Sequence, residues 1–215
     1  KSTTAKRVAQ NLSYTYIDTG AMYRAVTLYC LRHQIPFDTE TDQLREALDH
    51  IHITFEKRGN DPIPQIKLNG EWVVQDIRMP DVSAAVSPVA VHAAVRKALV
   101  SQQQRMGANG GVVMDGRDIG TVVFPQAELK IFIHANLEVR ALRRQEEMIA
   151  KGIEVPLQEI IQNLEERDHI DSTRKIAPLR KADDAIELDT TEMTIDEQVE
   201  AVCKLAHQTL KAHSA

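Results

Sequence analysis

The chain has 215 residues, a formal net charge of −5, 43% hydrophobic residues and only 4% aromatic ones. This is enough apolar material for one large domain, or a core with inserted lobes, with an aliphatic interior, and the charge excludes a bulk attraction to nucleic acid or to an anionic membrane. The two cysteines, Cys30 and Cys203, lack CxxC spacing and read as reduced thiols of a cytoplasmic protein; the eight histidines lack metal-ligand spacing, and no apolar run reaches the ~18 residues of a membrane span.

Ala5, Val8, Ala9 and Leu12 recur at helical spacing, so a helix is expected from the first residues. A short β-prone run covers 14–18, and helices are expected over 21–33 and 41–51, the latter capped by Thr41 with Leu44, Ala47, Leu48 and Ile51 inward. The period then changes. IHITFEKR and QIKLNGEWVVQDIR read as strands, with Asn69-Gly70 as a hairpin turn. Ser87-Pro88 reads as a helix start, serine as cap and proline at the first helical position, with Val91, Val95, Leu99 and Met106 on the apolar side and Gly107 at the end. GVVM and ELKIFIHA are near-continuous apolar runs, as in parallel strands covered on both faces. Asn136 caps a helix closed by Gly152; Pro156 opens another, with Leu157, Ile160, Ile161 and Leu164 inward. A last strand covers 184–190, and Thr194 with Glu197 forms the capping box of the final helix. Strands alternating with helices predict an α/β, doubly wound parallel sheet.

In open parallel sheets ligands bind at the carboxyl ends of strands, where Asp18, Asp115 and Asp189 fall. Each can also be turn chemistry; Asp115-Gly116 can be a hairpin turn, although its flanks lack clean alternation. Lys1-Ser2-Thr3 matches the end of the phosphate-binding motif G-x-x-x-x-G-K-[ST], yet three residues are equally a solvated helix start. Arg167, Asp171 and Arg174 are spaced to share a helix face, as an exposed ion pair would also be.

YIDTGAMYRA, SPVA with Arg96 nine residues after Ser87, VMDGRDIGTVVFP and ERDHIDSTRKIAPLRKADDAIELDTT together resemble bacterial cytidylate kinase, a P-loop nucleoside-monophosphate (NMP) kinase, over nearly the whole chain. The resemblance implies one NMP-kinase domain: a core of about residues 1–50, 77–142 and 182–215, a small β-rich NMP-binding insert at about 51–76 and a helical lid at about 143–181. It further implies a strand and most of a glycine-rich loop ahead of Lys1. The implied reaction is phosphoryl transfer from ATP with Mg²⁺ to CMP and dCMP, by a monomer that engages neither nucleic acid nor membrane. Lys1, Ser2, Thr3, Arg143 and Arg144 would bind ATP. Ser2 and Asp115 would serve the metal, with loop bracing the other reading of Asp115. Thr19, Arg24, Arg117 and Arg174 would hold the acceptor phosphate, with Lys1, Arg117 and Arg174 catalytic. Arginine suits phosphate because its planar fork binds oxygens in pairs. Ser87, Arg96 and Asp118 would read cytosine, and Arg167 and Asp171 the sugar hydroxyls. The same residues leave room for a kinase of another small acceptor, UMP or shikimate, which the cytosine-reading set argues against, and for a nucleotide-binding module without catalysis.

Overall fold

The computed structural model describes residues 1–150 and 152–213. Helix α1 (Ser2–Leu12) leads into β1 (Thr15–Asp18), which hands over directly to α2 (Thr19–Arg32). The handover is chemical: the Asp18 carboxylate accepts from the Ala21 backbone N–H at 2.9 Å and caps the helix. Thr41 likewise caps α3 (Asp42–Asp49) through the Leu44 N–H.

Strands β2 (Ile53–Glu56), β3 (Gln65–Leu68) and β4 (Glu71–Trp72) form an antiparallel sheet. Asn69 and Gly70, with φ of 49° and 84°, make the tight turn that asparagine and glycine tolerate best. The expected strand character does not extend through Asp76–Arg78, which curl into a 3₁₀ turn that buries Ile77.

The next helix begins earlier than the sequence suggests. Helix α4 (Pro80–Ala90) has Pro80 in its first turn, and Ser87 and Pro88 lie inside its last turns, so Ser87 caps nothing. Pro80 is the proline that sits where a missing N–H costs nothing. The chain breaks at His92, whose extended backbone separates α4 from α5 (Ala93–Gly107). Val91 falls in this break and is exposed, whereas Val95 and Leu99 are fully buried.

Strand β5 (Val112–Asp115) runs parallel to β1, with Asp18 opposite Asp115. A π turn over Ile119–Val123, marked by the Phe124 N–H to Ile119 carbonyl bond of 2.7 Å, follows it; periodicity gives no sign of that turn. Strand β6 (Ile131–His134) pairs in parallel with β7 (Ile186–Asp189). Between them run α6 (Leu137–Ile149), capped by Asn136, and α7 (Leu157–Thr173). Helix α8 (Ile195–His213) closes the chain behind its capping box, in which the Thr194 N–H reaches Glu197 at 2.8 Å and the Glu197 N–H reaches Thr194 at 3.3 Å.

The fold is thus mixed α/β with parallel strands and helices, but the parallel strands stand as two pairs, β1–β5 and β6–β7, rather than one continuous sheet. A cavity of about 1910 Å³ separates the pairs, lined by β5 on one side and β6 on the other, with α1, α6 and α8 around it. One apolar cluster joins α2, α4 and α5 to the antiparallel sheet through Met22, Val26, Ile66, Leu68, Val89 and Leu99. A smaller one joins α1 and α8 through Val8, Val199, Val202 and Cys203. Among the described residues no helix is long and apolar enough to cross a membrane.

Because β2 and β3 place Ile53, Ile66 and Leu68 in the main cluster, their amides should exchange with solvent as slowly as those of α2. Helices α6 and α7 pack on each other and fully bury only Ala141 and Ile160, so they should exchange faster. Amide hydrogen exchange resolved by segment checks both; a fast β2–β3 or a slow α7 contradicts this ordering.

Candidate functional site

Parallel pairing ends β1 and β5 at the same height, so the segments leaving them share one space. Asp115 is at its centre, with a side chain only 7% exposed. Its Oδ2 accepts from Lys1 Nζ at 2.6 Å and from Ser2 Oγ at 2.8 Å, while its Oδ1 accepts from Tyr16 Oη at 2.7 Å. Burial works to raise the Asp115 pKa, but the Lys1 charge and the three donors outweigh it and hold the carboxyl below its usual value. The same burial and the facing carboxylates push the Tyr16 phenol far up, so it remains a donor. The three residues that open the chain therefore stand at the strand end: Lys1 and Ser2 on Asp115, and Thr3 in the lining of the cavity.

Gly116 allows the tight exit from β5. A Cβ there would lie 2.6 Å from Thr19 Oγ1 and 2.7 Å from Ile119 Cδ1. Thr19 cannot easily give way, since its hydroxyl donates to the Asp115 carbonyl at 2.7 Å and is buried.

Past Gly116 the charges alternate. Arg117 Nε donates to Asp171 Oδ2 at 2.9 Å, and Arg174 Nη1 reaches the other oxygen at 3.3 Å. Helix α7 stops at Thr173, so Arg167 and Asp171 are on it while Arg174 lies just beyond; Arg174 is brought back by its Nε bond to the Ala177 carbonyl. Asp118 forms a buried ion pair with Arg96, both side chains under 10% exposed. Arg96 also donates to the Ala90 carbonyl at 3.3 Å, at the end of the helix that carries Ser87. Ser87 is half-buried one turn earlier. Arg24 lies 3.4 Å from Asp18.

Five guanidinium groups, of Arg24, Arg96, Arg117, Arg167 and Arg174, thus share the region with the carboxylates of Asp18, Asp118 and Asp171. The excess is positive and poorly hydrated. Burial lowers the Arg167 pKa, assisted by the charge of Arg117, and burial lowers that of Arg174, assisted by Arg96. Arg24 Nε, Arg96 Nε, Arg174 Nη2 and the Tyr23 hydroxyl are buried without a hydrogen-bond partner. An unmet buried donor costs about 1–3 kcal/mol, so four in one region are the mark of a site built for an acceptor-rich ligand.

The arginines of α6 all line the cavity but differ in their partners. Arg143 Nη2 is held by the carbonyls of Thr190, Thr191 and Met193 at 2.8–3.3 Å, which commits it to the loop after β7. Arg144, like Arg143, lines the cavity, and it pairs with Glu147 at 3.3 Å. Arg140, paired with Asp168 at 2.6 Å, lines it too.

Two tyrosines were not legible as site residues. Tyr23 sits under the Arg96 guanidinium, 5.5 Å from its ring centroid, and burial pushes its pKa up to about 12. Its i,i+4 spacing from Thr19 on α2 was the available signal. Tyr16 occupied a strand position that reads as ordinary core.

Gly116→Ala should destabilise the protein by about 1–3 kcal/mol, the usual cost of overpacking, because Thr19 or Ile119 must move. Equilibrium urea unfolding measures this, and an unchanged midpoint would mean that the exit from β5 is looser than its contacts indicate.

The sequence model of the cytidylate kinase family matches residues 1–208. A curated protein of Parabacteroides distasonis named cytidylate kinase is 52% identical over 201 residues, covering 92% of this chain and 87% of that protein. One of Bacteroides fragilis with the same name is 50% identical, covering 99% and 93%, and one of Pediococcus pentosaceus is 47% identical, covering 98% and 92%.

Proposed function

This chain belongs to the cytidylate kinase family and is a nucleoside-monophosphate kinase that phosphorylates CMP from ATP; we propose that it accepts dCMP as well and takes its donor as the magnesium complex. The observation that carries the reading is the run Asp115–Gly116–Arg117–Asp118. One strand end presents in succession a carboxylate bonded to Lys1, a guanidinium bonded to Asp171 and a carboxylate paired with Arg96, which would serve the metal, the phosphate and the base.

Phosphoryl transfer to a phosphate needs no general base, because the acceptor is already an anionic nucleophile; it needs alignment and neutralised charge. Lys1 would hold the donor β- and γ-phosphates, with Ser2, Thr3 and Arg144 beside them. Arg143 would join them from the same cavity wall while also holding the loop after β7. Thr19, Arg24, Arg117 and Arg174 would hold the CMP phosphate, the arginines through the N–H groups that now lack partners or face Asp171. Lys1, Arg117 and Arg174 would carry the charge that develops in transfer. Ser87, Arg96 and Asp118 would read cytosine; Arg167 and Asp171 would meet the sugar, where dCMP forgoes one hydroxyl.

The donor set suits magnesium. Ser2 Oγ and an Asp115 oxygen lie 2.8 Å apart, both hard ligands, and among the described residues there is no cluster of three or more His, Cys, Asp or Glu that could cage a metal. A Mg²⁺ ion typically keeps its waters and is shared between one or two protein oxygens and substrate phosphates. When bound it would neutralise phosphate charge.

The reading keeps the insert at about 51–76 as the NMP-binding lobe and about 143–181 as the lid, around a core of about 1–50, 77–142 and 182–215. It takes the protein as a cytoplasmic monomer engaging small nucleotides only.

Cytosine and uracil differ at position 4, amino donor against carbonyl acceptor, and an ionised carboxylate can only accept. A mismatched bond to a charged group costs roughly 1.5–3 kcal/mol, so Asp118 should favour CMP over UMP by about 10- to 150-fold. Asp118→Asn supplies both donor and acceptor and should erase most of that ratio, read as kcat/KM for each nucleotide in a coupled ADP assay. An unaltered ratio would remove Asp118 from base reading; failure of wild type to use CMP would overturn the function.

Asp118→Ala is a different matter. It strands the Arg96 charge in the interior and should cost about 3–5 kcal/mol. Denaturant unfolding reads that loss, and a stability within 1 kcal/mol of wild type would show that Arg96 reaches water.

A further inference from the structure

We infer that Tyr16 is a positioning residue for the metal-side carboxylate, fixing the plane in which Asp115 meets Lys1 and Ser2. The inference rests on the proposed role of that site. Tyr16 is on β1, paired in register with Val113, so its side chain lies two residues behind Asp115 on the neighbouring strand. The side chain is buried, and its hydroxyl donates to Asp115 Oδ1 at 2.7 Å. Lys1 and Ser2 both bond the other oxygen, Oδ2.

The three donors are not equivalent. Lys1 and Ser2 belong to the donor side, and both have ligands to serve: phosphate oxygens for Lys1, the metal for Ser2. As they turn to those ligands, their hold on Oδ2 weakens. The Tyr16 hydroxyl, buried against Asp115 and within reach of Ser2, has no ligand of its own to serve. It alone among the side-chain donors remains on the carboxylate, so it fixes the carboxylate plane while Oδ2 is presented to the incoming ion. The Thr19 hydroxyl, on the Asp115 carbonyl, steadies the backbone but not the side-chain rotation.

A leucine or phenylalanine would fill much of the same volume and donate nothing. The hydroxyl is therefore separable from the packing, and Tyr16→Phe isolates it. Partners held behind a metal ligand typically contribute 10–100-fold in affinity.

The test is a double-mutant cycle on binding, not on turnover. Free Mn²⁺ is measured by electron paramagnetic resonance while the protein is titrated in the presence of ADP, for wild type, Tyr16→Phe, Asp115→Asn and the double variant. CMP affinity and the thermal midpoint are recorded in parallel. Tyr16→Phe should weaken Mn²⁺–ADP binding about tenfold, leave CMP affinity unaltered, and have less than a twofold effect once Asp115 is asparagine. An unaltered Mn²⁺ affinity in Tyr16→Phe, an equal loss in both backgrounds, or a parallel loss of CMP binding would overturn the role of Tyr16. If wild type binds no Mn²⁺ with ADP, the metal-side reading of Asp115 falls, and the inference with it.

Discussion

The pairing of β1 with β5 in parallel register is the constraint on which the site depends. It brings Asp18 opposite Asp115 and makes two chain segments leave the sheet side by side. From Asp18 the chain enters α2 at once, aiming Thr19, Tyr23 and Arg24 along one side of the opening. From Asp115 it passes Gly116 into a π turn, aiming Arg117 and Asp118 along the other. Slipping either strand by one residue would send these side chains to opposite faces. The strand residues before each aspartate thus do positional work: their pairing sets the register, and the register sets which side chains share the opening.

Much of this could be read from the sequence, and the failures have physical causes. Caps and turns were legible because they are local: Thr41, Asn136, the Thr194–Glu197 box and Asn69-Gly70 all act within four residues of themselves. Ser87-Pro88 misled for the same reason. The dipeptide has the form of a helix start, but the competing proline at position 80 had already opened the helix, and Pro88 forgoes a single hydrogen bond inside its last turns. The split of the parallel strands into two pairs depends on what lies between them, which no periodicity in β5 or β6 encodes.

The candidate site divides along the same line. Motif residues 115–118 announced themselves as charges interrupting an apolar strand. Tyr16 and Tyr23 did not, because a tyrosine in a strand or helix satisfies the hydrophobic pattern whether or not its hydroxyl has work to do. Only the long-range contact separates the cases: Asp115 is 99 positions from Tyr16. Arg143 and Arg144 are adjacent, chemically identical and both line the cavity, yet Arg143 also holds three carbonyls while Arg144 pairs with Glu147. Their helical positions, 100° apart, decide this, and the sequence does not say which faces the loop after β7.

Electrostatics ties α7 to the end of β5. Asp171, on α7, bridges Arg117 from the strand end and Arg174 from beyond the helix. The carboxylate meets the geometric needs of two guanidiniums much as a phosphate would, with planar forks on separate oxygens. It carries one negative charge, however, against a region with five cations and three carboxylates. A phosphate dianion in that place would satisfy the orphaned N–H groups of Arg24 and Arg174 as well. On the proposed reading, binding would be an exchange of acceptors, in which Asp171 gives up arginines that the phosphate takes. Because α7 packs chiefly on α6 and fully buries only Ile160, the element that carries Asp171 is the one best able to shift in that exchange. The acceptor phosphate and the sugar that would meet Arg167 and Asp171 are parts of one molecule. Releasing Asp171 from the arginines and engaging it with the sugar are then two consequences of the same binding event.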